Sequence, residues 1–161
     1  MNTLERPIFR RLEPDEIHAL LARNDVGRIA YMRGTTIDVE PLHYVYANGW
    51  LYGRTSRGVK LDARSESWWP VAFEVDEIDG RYQWRSVVIR GGFYTLAPEP
   101  TGWERDAWLE AVRVLQLHTP EAFTPDDPTP HRDVVFRIAV QEVSGREALP
   151  PTAMRAGPAE G

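Results

Sequence analysis

The segment "TTIDVEPLHYVYANGWLYGRT", residues 35–55, constrains the fold more than any other part of the chain. Ile37, Val39 and Val45 share one parity, and Asp38, Glu40 and Tyr46 the other, which is the two-residue period of a strand with an apolar and a polar face. Asn48-Gly49 is a two-residue hairpin signal, because Asn and Gly tolerate φ > 0 at both central positions. One strand is therefore expected to run to Ala47, and a second to cover Trp50 to Arg54.

Helical and strand periods alternate along the remainder. "EPDEIHALLARND" places Ile17, Leu20 and Leu21 on one helical face, with Pro14, Asp15 and Glu16 where a helix N-terminus favours them and an end near Asn24. A short helix is expected over Val59–Glu66 and a longer one over "WERDAWLEAVRVLQLH", with Trp108, Val112 and Leu115 as its stripe. "VAFEVDEI" and "RYQWRSVVIRGGFYTL" read as strands joined at Asp79-Gly80, and Gly91-Gly92 predicts a bulge or a sharp barrel bend. "DVVFRIAVQEV" alternates as one half-buried strand beyond a proline-rich loop. About six antiparallel strands with peripheral helices predict an α+β protein built on a small barrel, in one domain over residues 1–149. The tail from 150 to 161 is expected to be disordered.

Composition excludes several chemistries. The 161 residues contain no cysteine, hence no disulfide, thiolate ligand or thiol nucleophile. No apolar run reaches membrane-spanning length and the N-terminus lacks a signal-peptide core, so a cytoplasmic protein with no membrane partner is expected. A net charge of −5 argues against a nucleic-acid partner. The four histidines lack metal-ligand spacing, and His43 reads as a partly buried structural residue. No metal site is expected. Asp76, Glu77 and Asp79 read as a solvated turn, and no nucleophile elbow exists.

Two stretches remain as candidate sites. "RTSRGVK", residues 54–60, brackets an expected helix start with Arg54, Thr55, Ser56 and Lys60. Such a start offers N–H groups and partial positive charge to an anion, and charge-assisted hydrogen bonds add about 1.5–3 kcal/mol each. A capped helix with solvated basic residues explains the same letters equally well, and the P-loop spacing is missing. In "WRSVVIRGGF", Trp84, Ser86 and Val88 face one side and Arg85, Val87 and Ile89 the other. Arg85 and Ser86 therefore cannot both enter one pocket unless the strand bulges.

In order and spacing, "VGRIAYM", "VEPLHYVY", "NGWLYGRTSRGVK", "VAFEVDEI" and "WRSVVIRGGFYTL" resemble the pyridoxamine 5′-phosphate oxidase-like family of FMN-binding split barrels, over about residues 12–97. The resemblance implies a six-stranded antiparallel split β-barrel, a homodimer, and a flavin at each subunit interface. It implies that Arg54, Thr55, Ser56 and Lys60 hold the FMN phosphate, that Val39, Glu40 and Pro41 border the isoalloxazine, that Arg85 or Ser86 approaches the flavin, and that Trp84 walls the site. Redox chemistry would belong to the cofactor, acting on an unidentified small molecule with NAD(P)H as a candidate donor. The same fold also accommodates the deazaflavin F420, and a non-enzymatic flavin- or haem-binding role is the alternative. Relatives with nitroimidazole reductase character often carry histidine at the position of Arg54, and the C-terminal pyridoxal-phosphate ligands of true oxidases are not recognisable, so neither activity is expected. Trp68 and Trp69 are expected to pack in the core, at a dimer interface or over the pocket.

Overall fold

The computed structural model describes residues 6–58 and 68–151, with only the backbone of Trp68. In chain order the elements are β1 (Ile8–Arg11), α1 (Pro14–Arg23), β2 (Val26–Arg33), β3 (Thr36–His43), β4 (Val45–Ala47), β5 (Trp50–Thr55), β6 (Trp68–Gly80), β7 (Gln83–Leu96), α2 (Trp103–His118), β8 (Val134–Ala139) and β9 (Glu142–Leu149). Every pairing is antiparallel, and the spatial order is β3-β2-β6-β7-β8-β5-β4, with β9 on β7 and β1 on β9.

The α+β class is as expected, but the six-stranded antiparallel split β-barrel is not found. Among the described residues nine strands form one sheet, and no ladder joins β3 to β4 or β5, so the sheet is not closed into a barrel. Pro41 suits β3 to an edge, because its nitrogen has no hydrogen to donate to a second neighbour. The expected strand through residue 47 breaks at Tyr44, whose N–H turns away to donate to the Asp25 carbonyl at 2.9 Å. Likewise "DVVFRIAVQEV" is two strands, turning at Val140-Gln141, where Gln141 N donates to Arg90 O.

Local signals fixed several elements correctly. Asn48 (φ 53°) and Gly49 (φ 77°) make the β4–β5 turn. Helix α1 begins on Pro14 and ends at Asn24, whose side-chain amide donates to the Leu20 carbonyl at 2.8 Å. Its Ile17, Leu20 and Leu21 are buried, each stabilising by about 1.5–3 kcal/mol. In α2 the buried stripe is Ala107, Ala111, Val114 and Leu115, so Trp108 and Val112 lie to one side of it, half-buried. The Asp79-Gly80 signal is displaced: a register shift between Ile78 and Gly80 moves the turn to Arg81-Tyr82. Gly91-Gly92 makes no bulge against β6. It lies where the other edge of β7 exchanges β9 for β8, and a Cβ on Gly91 would sit 1.7 Å from the Ala139 carbonyl oxygen. The expected helix over 59–66 and the tail beyond 151 lie outside the described residues.

The core is double. Leu20 and Leu21 of α1 pack with Ile29, Leu51, Phe73, Phe93 and Phe136, while Leu115 of α2 packs with Val45, Tyr52 and Val135. Leu51 and Tyr52 are neighbours in β5, so the two helices cover opposite faces of that strand.

Candidate functional site

Strand β5 ends at Thr55, and its alternation decides what each candidate residue can reach. Leu51 and Gly53 share the parity of Thr55, whereas Tyr52 shares that of Arg54. Arg54 projects toward the loop after α2 and is nearly buried, its side chain 11% exposed. There its guanidinium makes a bidentate pair with Asp127, donates to Thr129 Oγ1 at 2.9 Å, and lies 5.1 Å from the centre of the Phe123 ring. Asp127 also accepts from Phe123 N and Thr129 N, each at 2.9 Å. Arg54 holds this carboxyl far below the usual carboxylate range, and the two backbone N–H groups reinforce it against the opposing effect of burial. Three of the five N–H donors of Arg54 are committed to protein.

The sequence reading missed Asp127, Phe123 and Thr129, which it placed in an uninformative proline-rich loop. A signal was present in Asp127-Pro128-Thr129, since Asp two residues before an N–H is the pattern of an Asx turn. Thr55 points away from this clamp, and among the described residues no hydrogen bond joins either Thr55 or Ser56 to it. Thr55 is half-buried with its hydroxyl 3.4 Å from the Ser56 carbonyl, and Ser56 is exposed. Lys60 lies outside the described residues.

Behind Arg54 is a cavity of about 330 Å³ between β5, the β3–β4 corner and the C-terminal end of α2. His43, expected to be a partly buried structural residue, is instead exposed at its wall, because the odd positions of β3 face outward.

The second candidate surface is the outer face of β3, β2, β6 and β7. Cross-strand partners Pro41–Arg28, Arg28–Glu74 and Asp76–Ser86 put Pro41 and Ser86 on one face, together with Val39. Glu40 points to the opposite side, where Tyr31 OH donates to it at 3.5 Å. Arg85 also lies on that side, with Nε 2.8 Å from Glu147 and Nη1 3.7 Å from Glu77. The structure thus gathers Val39, Pro41 and Ser86 and separates them from Glu40 and Arg85. Trp84 is half-buried beside Phe9, with ring centres 6.3 Å apart. Val39 is 64% exposed, and Ile37 and Met32 stand beside it on the rim of an apolar groove of about 480 Å³. Trp69 packs on Phe93 at 4.8 Å in the core, while the side chain of Trp68 lies outside the described residues.

Of the three carboxylates read as a solvated turn, Asp76 and Glu77 are paired, while Asp79 is exposed as expected. Arg28 spans Glu74 (3.2 Å) and Asp76 (3.1 Å), and Ser86 Oγ donates to Glu74 at 3.3 Å. Burial, then the neighbouring Asp76, pushes the Glu74 carboxyl up. Glu77 accepts from Arg23 at 2.6 Å and from Asn24 at 2.9 Å, and Arg23 above all lowers it to about 2. Among the described residues no group of His, Asp and Glu is arranged to hold a metal ion. Nor is any described helix long and apolar enough to cross a membrane.

An open antiparallel sheet flanked by two helices, with an apolar groove along β2, β3 and β6, defines the α+β class of the described residues. The chain belongs to the pyridoxamine 5′-phosphate oxidase family, whose model matches residues 13–147. It is 25% identical over 146 residues to an uncharacterised protein of Rhizobium meliloti, covering 86% of this chain and 95% of that one. Among solved structures it is similar to a FAD-binding protein from Mesorhizobium loti, with TM-score 0.69 and 28% identity over 88% of this chain and 99% of the other. A conserved protein of unknown function from Corynebacterium diphtheriae has TM-score 0.63 and 27% identity, over 88% and 98% of the two chains.

Proposed function

We propose that the chain binds a flavin, FMN, and serves as a flavin-dependent oxidoreductase for a small molecule. The family match over residues 13–147 is the observation that carries this reading, and the Mesorhizobium loti relative, described as FAD-binding, supports it. The residues present fit such a group. Exposed Val39 and Pro41 offer an apolar bed of the kind a planar ring system needs, and the adjoining groove of about 480 Å³ is lined largely by apolar atoms. Thr55 and Ser56 supply hydroxyl donors for a phosphate at the end of β5, with Lys60 as the cation.

Bound flavin would supply the hydride chemistry. The protein positions and desolvates. Ser86 is the member of the Arg85/Ser86 pair that shares the face of Val39 and Pro41, so it is the one assigned to the ring. Arg54 acts at one remove, fixing the end of β5 through Asp127. A homodimer covering Ile37, Val39 and Met32 completes the proposal, since these exposed side chains adjoin on β2 and β3 and contiguous apolar patches mark interaction surfaces.

The test is the absorbance spectrum of the purified protein, with mass spectrometry of the extracted cofactor to separate FMN, FAD and F420. Yellow protein with a flavin spectrum, and retention weakened in Lys60→Ala and Thr55→Val, is the expected result. Colourless protein that takes up neither FMN nor FAD would overturn it.

A further inference from the structure

A cluster of charges stands at the centre of the outer sheet face. Arg28 of β2 is the cross-strand partner of Glu74 on β6, and Asp76 follows on the same face two residues along. One nitrogen, Arg28 Nη1, serves both carboxylates, 3.2 Å from Glu74 Oε2 and 3.1 Å from Asp76 Oδ2. A single cation thus meets two acids. The other oxygen of Glu74, Oε1, is left to Ser86 of β7, whose Oγ lies 3.3 Å away. Further out on this face, β7 contributes Arg90, and β9 contributes Glu142 and Arg146 opposite Arg90 and Ser86. From β3 come uncharged Pro41 beside Arg28 and, two residues on, His43.

We propose that Glu74 positions the hydroxyl proton of Ser86 by exchanging donor and acceptor roles with it. As a carboxylate, Glu74 accepts the Ser86 proton, and Ser86 turns only lone pairs outward. As a carboxylic acid, Glu74 donates from Oε1 to Ser86 Oγ, and the Ser86 proton is released to donate from the face. The acid proton belongs on Oε1 because Oε2 is committed to Arg28. Two acids on one guanidinium nitrogen favour keeping a proton between them. The half-buried setting works the same way: burial, then Asp76, pushes the Glu74 carboxyl up, against Arg28 and Ser86. What Ser86 meets rests on the flavin reading, while the exchange is a property of this chain alone. A flavin ring carries carbonyl oxygens and ring nitrogens that accept hydrogen bonds, so the acid form of Glu74 is the form that helps to hold it.

Carbon NMR of the isotope-labelled full chain, with no ligand added, is the first test. The Glu74 carboxyl should titrate above its ordinary value of 4.5, and Ser86 Cβ should shift with the same midpoint. Asp76→Asn should lower that midpoint, whereas Ser86→Ala and Arg28→Gln should raise it. Glu74→Gln should abolish the Ser86 step, because an amide whose carbonyl is held by Arg28 donates to Ser86 at every pH. The second test is FMN affinity against pH, read from quenching of FMN fluorescence. Glu74→Gln should match wild type below the Glu74 midpoint and bind about two- to tenfold more tightly above it, the worth of one hydrogen bond. In a Ser86→Ala background the same substitution should change nothing. A Glu74 midpoint at or below 4.5, or one unmoved by Asp76→Asn, would overturn the proposal, as would a Ser86 Cβ that does not follow Glu74. Equal FMN affinity of wild type and Glu74→Gln above the midpoint would overturn it too. If no FMN is taken up while Ser86 still follows Glu74, the flavin reading fails and the exchange stands. Should Glu74→Gln fold poorly, the midpoints of Asp76→Asn and Ser86→Ala decide.

Discussion

Gly53→Ala is the substitution that most directly tests how the site is supported. Gly53 lies flat against Phe136: a Cβ there would be 2.2 Å from Cζ and 2.8 Å from each Cε of that ring. Ordinary carbon contacts are about 3.5–4.0 Å, so ring and strand must separate by at least about 1.3 Å. The ring cannot yield. Phe136 is fully buried and stacked on Phe93 at 4.8 Å and 21°, and Phe93 is backed by Trp69 at 4.8 Å. Overpacking of a rigid core costs about 1–3 kcal/mol, and this contact belongs at the upper end. For a chain of this length about 3 kcal/mol lowers Tm by roughly 6–12 °C. Circular-dichroism melts with urea titrations would measure it. Phe136→Leu, placed in the Gly53→Ala background, should remove the clash, so the double variant should be less destabilised than the two singles added together by about 1 kcal/mol or more. A Tm for Gly53→Ala within about 2 °C of wild type, or strict additivity in the cycle, would refute the reasoning.

Glu77→Gln should flatten the acid limb of stability. The Glu77 carboxyl is lowered in the folded protein from 4.5 to about 2, so its contribution is complete above about 4.5 and lost as pH falls toward 2; urea midpoints measured across that window should fall less steeply in the variant. Tyr44→Phe removes a buried hydroxyl that donates to the Leu21 carbonyl at 2.8 Å, and should cost about 0.5–1.5 kcal/mol in urea titration with the m-value unchanged. Burial pushes the Tyr44 phenol well above its ordinary range, so alkaline titration at 295 nm should show one fewer late-titrating tyrosine in Tyr44→Phe than in wild type. Gly80→Ala, where the nearest atom to a new Cβ is 3.9 Å away, should leave Tm within the spread of ordinary surface changes, about 0.5 kcal/mol.

Legibility in the sequence followed the range of the interaction that fixed each element. Helix α1 was readable because its stripe, its proline start and its Asn24 end all lie within eleven residues of chain. The Asn48-Gly49 hairpin was readable because the turn itself demands those two residues. The break at Val140-Gln141 was marked only by the adjacent polar pair Gln141-Glu142, and what holds the turn is a hydrogen bond from Gln141 N to Arg90 on another strand. Strand β1 was invisible for the same reason: "IFRR" has no period of its own and exists by pairing with β9. At the site, parity within β7 divides Arg85 from Ser86, and the same alternation within β5 divides Arg54 from Thr55. The partner that makes the difference, Asp127, is 73 residues away from Arg54.

That partner also explains why a basic residue tolerates this position. A guanidinium with its side chain only 11% exposed is costly unless a carboxylate meets it, because desolvation removes what water supplied. Asp127 meets it with both oxygens, and Phe123 N and Thr129 N hold the carboxylate in place, so the loop after α2 is tied to the last turn of β5 by charge and backbone together. The pair then contributes rigidity rather than net charge, and any anion at the end of β5 must be recognised by groups other than Arg54. Alternation along this six-residue strand is what turns Arg54 toward Asp127 while its neighbour Thr55 faces the other way.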